Sequence, residues 1–175
     1  MTLVVRPVRA SEPAELEAVG ELTYAAYAAD GFVTEDDEYA DHLRDAASRA
    51  AQAELYVAVD PDGRIAGTVT YCPADSRFRE LAGPGEGEFR MLAVAPHARG
   101  RGVGEALVRT CIERAEELGC SALVLSSMPS QTSAHRVYGR IGFHRTPDLD
   151  WSPVAGVDLL GYRLELGVPR AVRSP

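Results

Sequence analysis

The segment GEFRMLAVAPHARGRGVGEALV, Gly87 to Val108, decides how this chain is read. Its first part, Glu88 to Val94, is rich in apolar residues and is closed by Pro96, which predicts a strand. After the glycines at 100, 102 and 104 the apolar positions Leu107, Cys111, Ile112, Ala115 and Leu118 recur at helical spacing. Glu105, Arg109, Glu113 and Glu117 fall on the outer face of that helix, and Gly119 ends it. Between the two elements lies Arg99-Gly100-Arg101-Gly102-Val103-Gly104. Glycines there let backbone N–H groups crowd round an anion, the helix N-terminus adds unpaired donors and the positive end of its dipole, and two arginines add charge. Such a loop is a cradle for a diphosphate. Its glycines fall as GxGxG, not the GxGxxG of dinucleotide folds, and it lacks the Lys and Ser or Thr of a P-loop.

Working outward, Leu3, Val5 and Val8 predict an opening strand, and Pro13, after Ser11 or Glu12 as cap, opens a helix through Leu16, Val19, Thr23 and Tyr27. A second helix is read through Tyr39, Leu43, Ala46 and Ala50, after Asp30-Gly31 and the acidic run Glu35 to Glu38. Leu55 to Val59 and Ile65 to Tyr71 form a hairpin across Asp60-Pro61-Asp62-Gly63-Arg64, and Pro73 to Gly87 is a surface loop. Beyond the long helix come a buried strand at Ala122 to Leu125, a helix at Ser133 to Ile141, a strand from Gly142-Phe143 and a last strand carrying Tyr162, Leu164 and Leu166. The expected order is βααβββαβαββ: an α/β fold with a mixed sheet and helices on both faces, forming one domain over 1–166 with a loose tail at 167–175.

Composition narrows the chemistry. The chain has 175 residues, 46% of them hydrophobic, which is enough for one sizeable core. Asp and Glu number 26 against 18 basic residues, a net charge of 26 − 18 = 8 negative, so neither nucleic acid nor an anionic membrane is an expected partner. All 18 basic residues are arginine, which removes Schiff-base, pyridoxal and P-loop lysine chemistry. Cys72, Cys111 and Cys120 form no CxxC, and His42, His97, His135 and His144 share no ligand spacing, so no metal is expected and His97 and His135 are read as surface residues. No apolar run reaches the roughly 18 residues of a membrane span, and no leader is read in Met1 to Ala10; a cytoplasmic location is the expectation.

The strand and the loop ARGRGVG resemble the central motif of the GNAT superfamily of acyl-CoA-dependent N-acyltransferases, with Arg99, Gly102 and Gly104 at its defining positions. The segment AHRVYGRIGF resembles the second motif through Ala134, Tyr138, Gly142 and Phe143. This resemblance implies acetyl-CoA as cosubstrate, held by Arg99, Gly100, Arg101, Gly102, Val103 and Gly104 at the diphosphate. Met91, Leu92, Ala93 and Val94 would pair with pantetheine amides along one of two splayed parallel strands, the other ending near Ser126. Where the family often has Asn against the pantetheine arm this chain has Gln131, whose amide makes the same contacts from a longer arm.

An alkylammonium with a pKa near 10.4 has no lone pair at neutral pH, so amine acetylation needs a proton acceptor. The resemblance points to Glu88 for that role and to Tyr138 as donor to the departing thiolate. The implied acceptor is a small-molecule or peptide amine. Glu35 to Glu38, with Asp148 and Asp150 before Trp151, suggest a cationic one. Two alternatives stay open: a silent acyl-CoA-binding domain, and a transferase of a longer acyl group.

Overall fold

The computed structural model describes residues 2–167. Strands β1 (Val4–Pro7), β2 (Glu54–Val59), β3 (Ile65–Cys72), β4 (Glu86–Val94), β5 (Ala122–Ser127), β6 (His144–Arg145), β7 (Trp151–Val154) and β8 (Val157–Glu165) alternate with helices α1 (Pro13–Ala29), α2 (Glu38–Arg44), α3 (Ala46–Gln52), α4 (Val103–Glu117) and α5 (Thr132–Ile141). The sheet order is β1-β2-β3-β4-β5-β8-β6, with β7 paired to β8. β4 and β5 are parallel and the other pairs antiparallel, so the sheet is mixed as expected.

β3 is buried at every position after Ile65 because both faces of the sheet are covered. On one face α4 lies so close to β3 that a Cβ at Gly67 would sit 2.9 Å from Val103 and 3.0 Å from Leu107. On the other, Arg49 of α3 bonds Thr70, while Ala40 and Leu43 of α2 pack with Met91. α1 and α2 cross at Gly20, where a Cβ would lie 2.1 Å from the Arg44 carbonyl oxygen. A residue poor for helix propensity is thus required by close backbone approach.

Several expected boundaries move. The helix expected from Tyr39 to Ala50 breaks at Asp45, whose carboxylate accepts bonds from the Ser48 N–H (2.9 Å) and hydroxyl (2.6 Å) and caps α3. Three helices therefore follow β1, not two. Ser11 and Glu12 give α1 no side-chain cap; Pro13 opens it. β4 begins two residues earlier and β5 runs two residues further than read. A strand not read at all, β7, forms a hairpin with β8 around Gly156 at φ +84°. Leu118, expected on the buried face of α4, is 47% exposed because the helix has ended; Val103 and Val108 fill that face. Of the expected tail, residues 168–175 lie outside the described residues. Among the described residues no helix is long and apolar enough to cross a membrane.

β1 is tied to α1 by one buried carboxylate. Glu15 accepts two bonds from the Arg6 guanidinium (2.8 and 2.9 Å), one from the Arg9 side chain (2.7 Å) and one from the Arg9 backbone N–H (2.8 Å). The Arg6 hydrogen bonds, against the opposing effect of burial, hold its pKa down at about 2. A pKa depressed in the folded state gives stability that is present above the unfolded value near 4.3 and is lost as pH falls toward 2. Glu15→Gln is expected to cost about 2 kcal/mol at pH 7, discounted for the exposure of Arg9. In denaturant titrations the gap between wild type and variant should close between pH 5 and pH 2.

Candidate active site

β4 and β5 pair only over Glu86–Ala122, Gly87–Leu123 and Glu88–Val124, and then diverge. The cause lies in β4. Thr70 of β3 faces Arg90 and Thr68 faces Ala93, so Met91 and Leu92 together oppose the single Val69. This bulge, with Met91 at φ +51°, turns the strand away from β5. Beyond it the β5-side edge of β4 meets no strand, which leaves backbone polar groups for a ligand. Aromatic packing fills the base of the gap: Tyr138 stands 6.0 Å from Phe89, 5.8 Å from Phe143 and 5.7 Å from Tyr162, ring centre to ring centre.

The resulting cleft is narrow and is lined by Tyr27, Phe89, Arg90, Met91, Leu92, Leu125, Ser126, Gln131, Ala134 and Tyr138. Five of the residues expected at the site thus meet there: Met91, Leu92, Ser126, Gln131 and Tyr138. Ala93 and Val94 continue β4 toward the loop at 99–104. A larger hollow between Arg6, Glu15 and Ile65 lies on the β1 side, and the charged groups Arg6, Arg9 and Glu15 within it satisfy one another.

The loop has the geometry expected of an anion cradle. Gly100 (φ +73°) and Gly102 (φ +78°) are left-handed, and a Cβ on either would meet nothing within 4 Å. Positive φ, not crowding, demands glycine here, and the space above stays open. Among the described residues the N–H groups of Gly100 to Glu105 find no acceptor, so six donors are available at the start of α4. The side chain of Val103 is buried, so its contribution is its backbone.

Arg99 departs from expectation. Its guanidinium grips Asp30 in a bidentate pair (2.7 and 2.9 Å) and reaches the Ala26 carbonyl (3.3 Å), fixing the end of α1 against the loop. Its charge is shared with that carboxylate, whereas Arg101 stays exposed and forms no ion pair with a described carboxylate.

Gln131 stands at the N-cap position of α5 without a side-chain cap bond, and its Oε1 accepts from the Ser127 hydroxyl and the Met128 N–H, both at 2.8 Å, which turns its amide NH2 the other way. His135, expected on the surface, is half-buried with Nε2 3.0 Å from Ser127 Oγ. Burial lowers its pKa, against a bond with the Met128 backbone that raises it. The Tyr138 phenol is pushed well above its ordinary pKa, chiefly by burial, and stays protonated at neutral pH.

Glu88 is 1% exposed and does not line the cleft. Its Oε2 accepts the N–H groups of Glu80 (2.9 Å), Leu81 (2.8 Å) and Ala82 (3.1 Å), fixing the loop before β4. That loop carries Glu80, which sequence reasoning missed, 3.1 Å from Arg90. Burial raises the Glu80 pKa, Arg90 opposes the shift and Glu88 adds to it. Tyr27 and Arg90 were also missed as lining residues. Arg90 lay within the quoted strand, but only the bulge reveals which side it serves.

Three of the six acidic residues expected at the rim are engaged internally, while Asp36, Glu38 and Asp148 make no side-chain hydrogen bond or ion pair among the described residues. Glu35 pairs with Arg44, Asp37 caps Thr34, and Asp150 holds Arg145 and the Gly161 N–H.

Residues 19–143 match the model of the Acetyltransferase (GNAT) family, and the chain belongs to that family. It is similar to an uncharacterized N-acetyltransferase of Schizosaccharomyces pombe, 32% identical over 135 residues that cover 77% of this chain and 76% of that protein. It is also similar to an N-alpha-acetyltransferase of Arabidopsis thaliana, 32% identical over 115 residues covering 65% of this chain and 57% of the relative. Among solved structures it resembles a GNAT-family acetyltransferase from Staphylococcus aureus with a TM-score of 0.73 at 15% identity, covering 95% of this chain and 100% of the other. A protein from Salmonella typhimurium, solved with its cofactor acetyl-CoA, superposes with a TM-score of 0.67 at 18% identity over 95% of both chains. These last two likenesses carry the fold.

Gly102→Asp is expected to abolish CoA binding, because a side chain and a negative charge would enter the cradle at a left-handed position. Arg99→Ala is expected to weaken binding less, since its charge is already shared with Asp30. Isothermal titration with CoA measures both.

Proposed function

We propose that this GNAT acetyltransferase moves the acetyl group of acetyl-CoA to a primary amine by direct attack within a ternary complex. The observation that carries this reading is the divergence of β4 from β5 ending on six unpaired N–H groups. An elongated cosubstrate with a diphosphate at one end and amides along its arm fits that combination. Gly100 to Glu105 would hold the diphosphate, the open edge of β4 from Met91 to Val94 would pair with the amides, and the Gln131 NH2 would donate to a carbonyl on the β5 side beside Ser126.

In the transfer, the amine nitrogen bonds to the thioester carbonyl carbon, the C–S bond breaks, and the electron pair leaves on sulfur. Tyr138 then serves as hydrogen-bond donor to the departing thiolate. Its raised pKa makes it a partner for that sulfur, whose conjugate thiol has a pKa near 8.5, more than a strong acid toward it.

The amine proton needs an acceptor, and in Glu88 one oxygen, Oε2, is held by three N–H groups of the loop. Neither carboxylate lines the cleft, so the proton reaches Glu80 through water, with Glu88 as the positioning residue that sets the Glu80 loop. A carboxyl whose pKa is raised is the better proton acceptor.

Thiol release from acetyl-CoA across a panel of small amines, amino acids, aminoglycosides and peptide N-termini tests the activity. Release with no amine in the panel would leave a silent acyl-CoA-binding domain. Glu80→Gln is expected to lower kcat about 10²-fold near neutral pH, and less at high pH where the amine is already deprotonated. Glu88→Gln should instead lower stability with a loss of rate that does not depend on pH. Tyr138→Phe should reduce kcat while leaving acetyl-CoA affinity nearly unchanged.

A further inference from the structure

Ser127, Gln131 and His135 recur at intervals of four where β5 passes into α5. The Gln131 carbonyl accepts the His135 N–H (3.2 Å), so the two residues lie one helical turn apart. Ser127, at the end of β5, is 3% exposed, so its hydroxyl must find partners within the protein. It finds them in the side chains of the other two. Of the three residues, only Gln131 lines the cleft.

The contacts fix where the protons lie. Gln131 Oε1 accepts the Met128 N–H (2.8 Å), which makes that amide atom the oxygen. Ser127 Oγ lies 2.8 Å from the same oxygen, and since Oε1 has no proton to give, the hydroxyl proton lies between them. The hydroxyl is then an acceptor toward His135, whose Nε2, 3.0 Å away, supplies a ring proton. The chain runs one way, from the His135 N–H through the Ser127 O–H to the Gln131 carbonyl, and each bond polarises the next. A ring proton held only on Nδ1 would draw the Ser127 proton to His135 and leave Gln131 Oε1 with one donor. The His135 ring is itself held 5.2 Å from Tyr162 and 6.5 Å from Tyr138, centre to centre. At the other end of the chain the Gln131 NH2 faces Tyr27 on the opposite wall of the cleft: burial chiefly raises the Tyr27 pKa, and a bond from Gln131 is among the effects that oppose it.

We infer that His135 is a positioning residue for the cosubstrate: acting through Ser127, it fixes the plane of the Gln131 amide so that the NH2 is preset for a carbonyl of the acetyl-CoA arm. Gln has three side-chain torsions to immobilise, and a freely turning amide would offer that carbonyl its oxygen as readily as its nitrogen. Two donors on Oε1 remove that freedom before the ligand arrives. This inference rests on the reading that Gln131 meets the arm.

The test is isothermal titration with CoA and with adenosine 3′,5′-bisphosphate, which keeps the nucleotide end and lacks the arm. His135→Phe keeps a ring beside Tyr162 and removes the N–H; it should weaken CoA about fivefold and leave the bisphosphate unchanged. His135→Gln, which returns an amide N–H near the place of Nε2, should bring CoA affinity back to within about twofold of wild type. Ser127→Ala should match the His135→Phe loss, and combining the two should add nothing further. In a Gln131→Leu background, itself weaker for CoA, His135→Phe should have no further effect. Thermal denaturation checks that each variant folds, and Ser127→Ala reads the same chain if His135→Phe does not. Equal weakening of both ligands, or a His135→Phe loss that persists without Gln131, overturns the inference and leaves acetyl transfer in place. So does unchanged CoA affinity in Ser127→Ala. Unchanged CoA affinity in Gln131→Leu removes the arm contact and the inference with it. Failure of wild type to bind CoA overturns both readings.

Discussion

The functional architecture depends on the parallel contact between β4 and β5 stopping after three residue pairs. A parallel pair that ran the full length of both strands would satisfy every backbone group between them and leave no room for a ligand. The bulge at Met91 and Leu92 ends that pairing by inserting a residue that β3 cannot match, while β3 still holds β4 on its other side. The opening is therefore cut into a rigid frame. Tyr138, Phe89, Phe143 and Tyr162 brace its base.

The same frame explains why charged residues appear where a core of aliphatic side chains would serve stability better. α1, α2 and α3 cover one face of the sheet, and Arg49 of α3 ties α1, α2 and β3 together through Thr23, Leu43 and Thr70. A leucine there would avoid the desolvation penalty. The buried cation instead joins α1, α2 and β3 through three hydrogen bonds that a leucine could not make. Glu88 shows the same economy on the other side of β4: one buried carboxylate oxygen gathers three backbone N–H groups and so fixes a loop that has no regular secondary structure.

Much of this was legible in the sequence where backbone chemistry constrains residue type. The left-handed positions Gly100 and Gly102 admit little else, so the cradle could be read from spacing alone. The long helix and the central strands followed from periodicity. What escaped reading depends on side chains that meet from distant segments. Asp45 broke a helix by a local capping bond that competes with an otherwise continuous apolar pattern. Arg99 sits 69 positions from Asp30, and nothing in their spacing announces the pair. Glu88 stood in the right strand, yet its environment comes from a loop whose course has no periodic signal.

That division also separates the two ends of the reaction. The cosubstrate end is built from main-chain donors at a strand-to-helix turn, and its demands reduce to small residues at set intervals. The cleft wall carries Tyr27 from α1 and Arg90 from β4, with Glu80 of a loop paired to Arg90. Each of these residue types is common on protein surfaces, and each acquires meaning only from its burial and its neighbours. Net charge misleads for the same reason. The chain carries 8 more acidic than basic groups, but Coulomb energy inside a cleft depends on the few charges that are near and desolvated, and there Arg49 and Arg90 stand with Glu80 and the buried Glu88. The bulk composition sets the field at long range, and the paired Arg90 and Glu80 set the local field at the cleft.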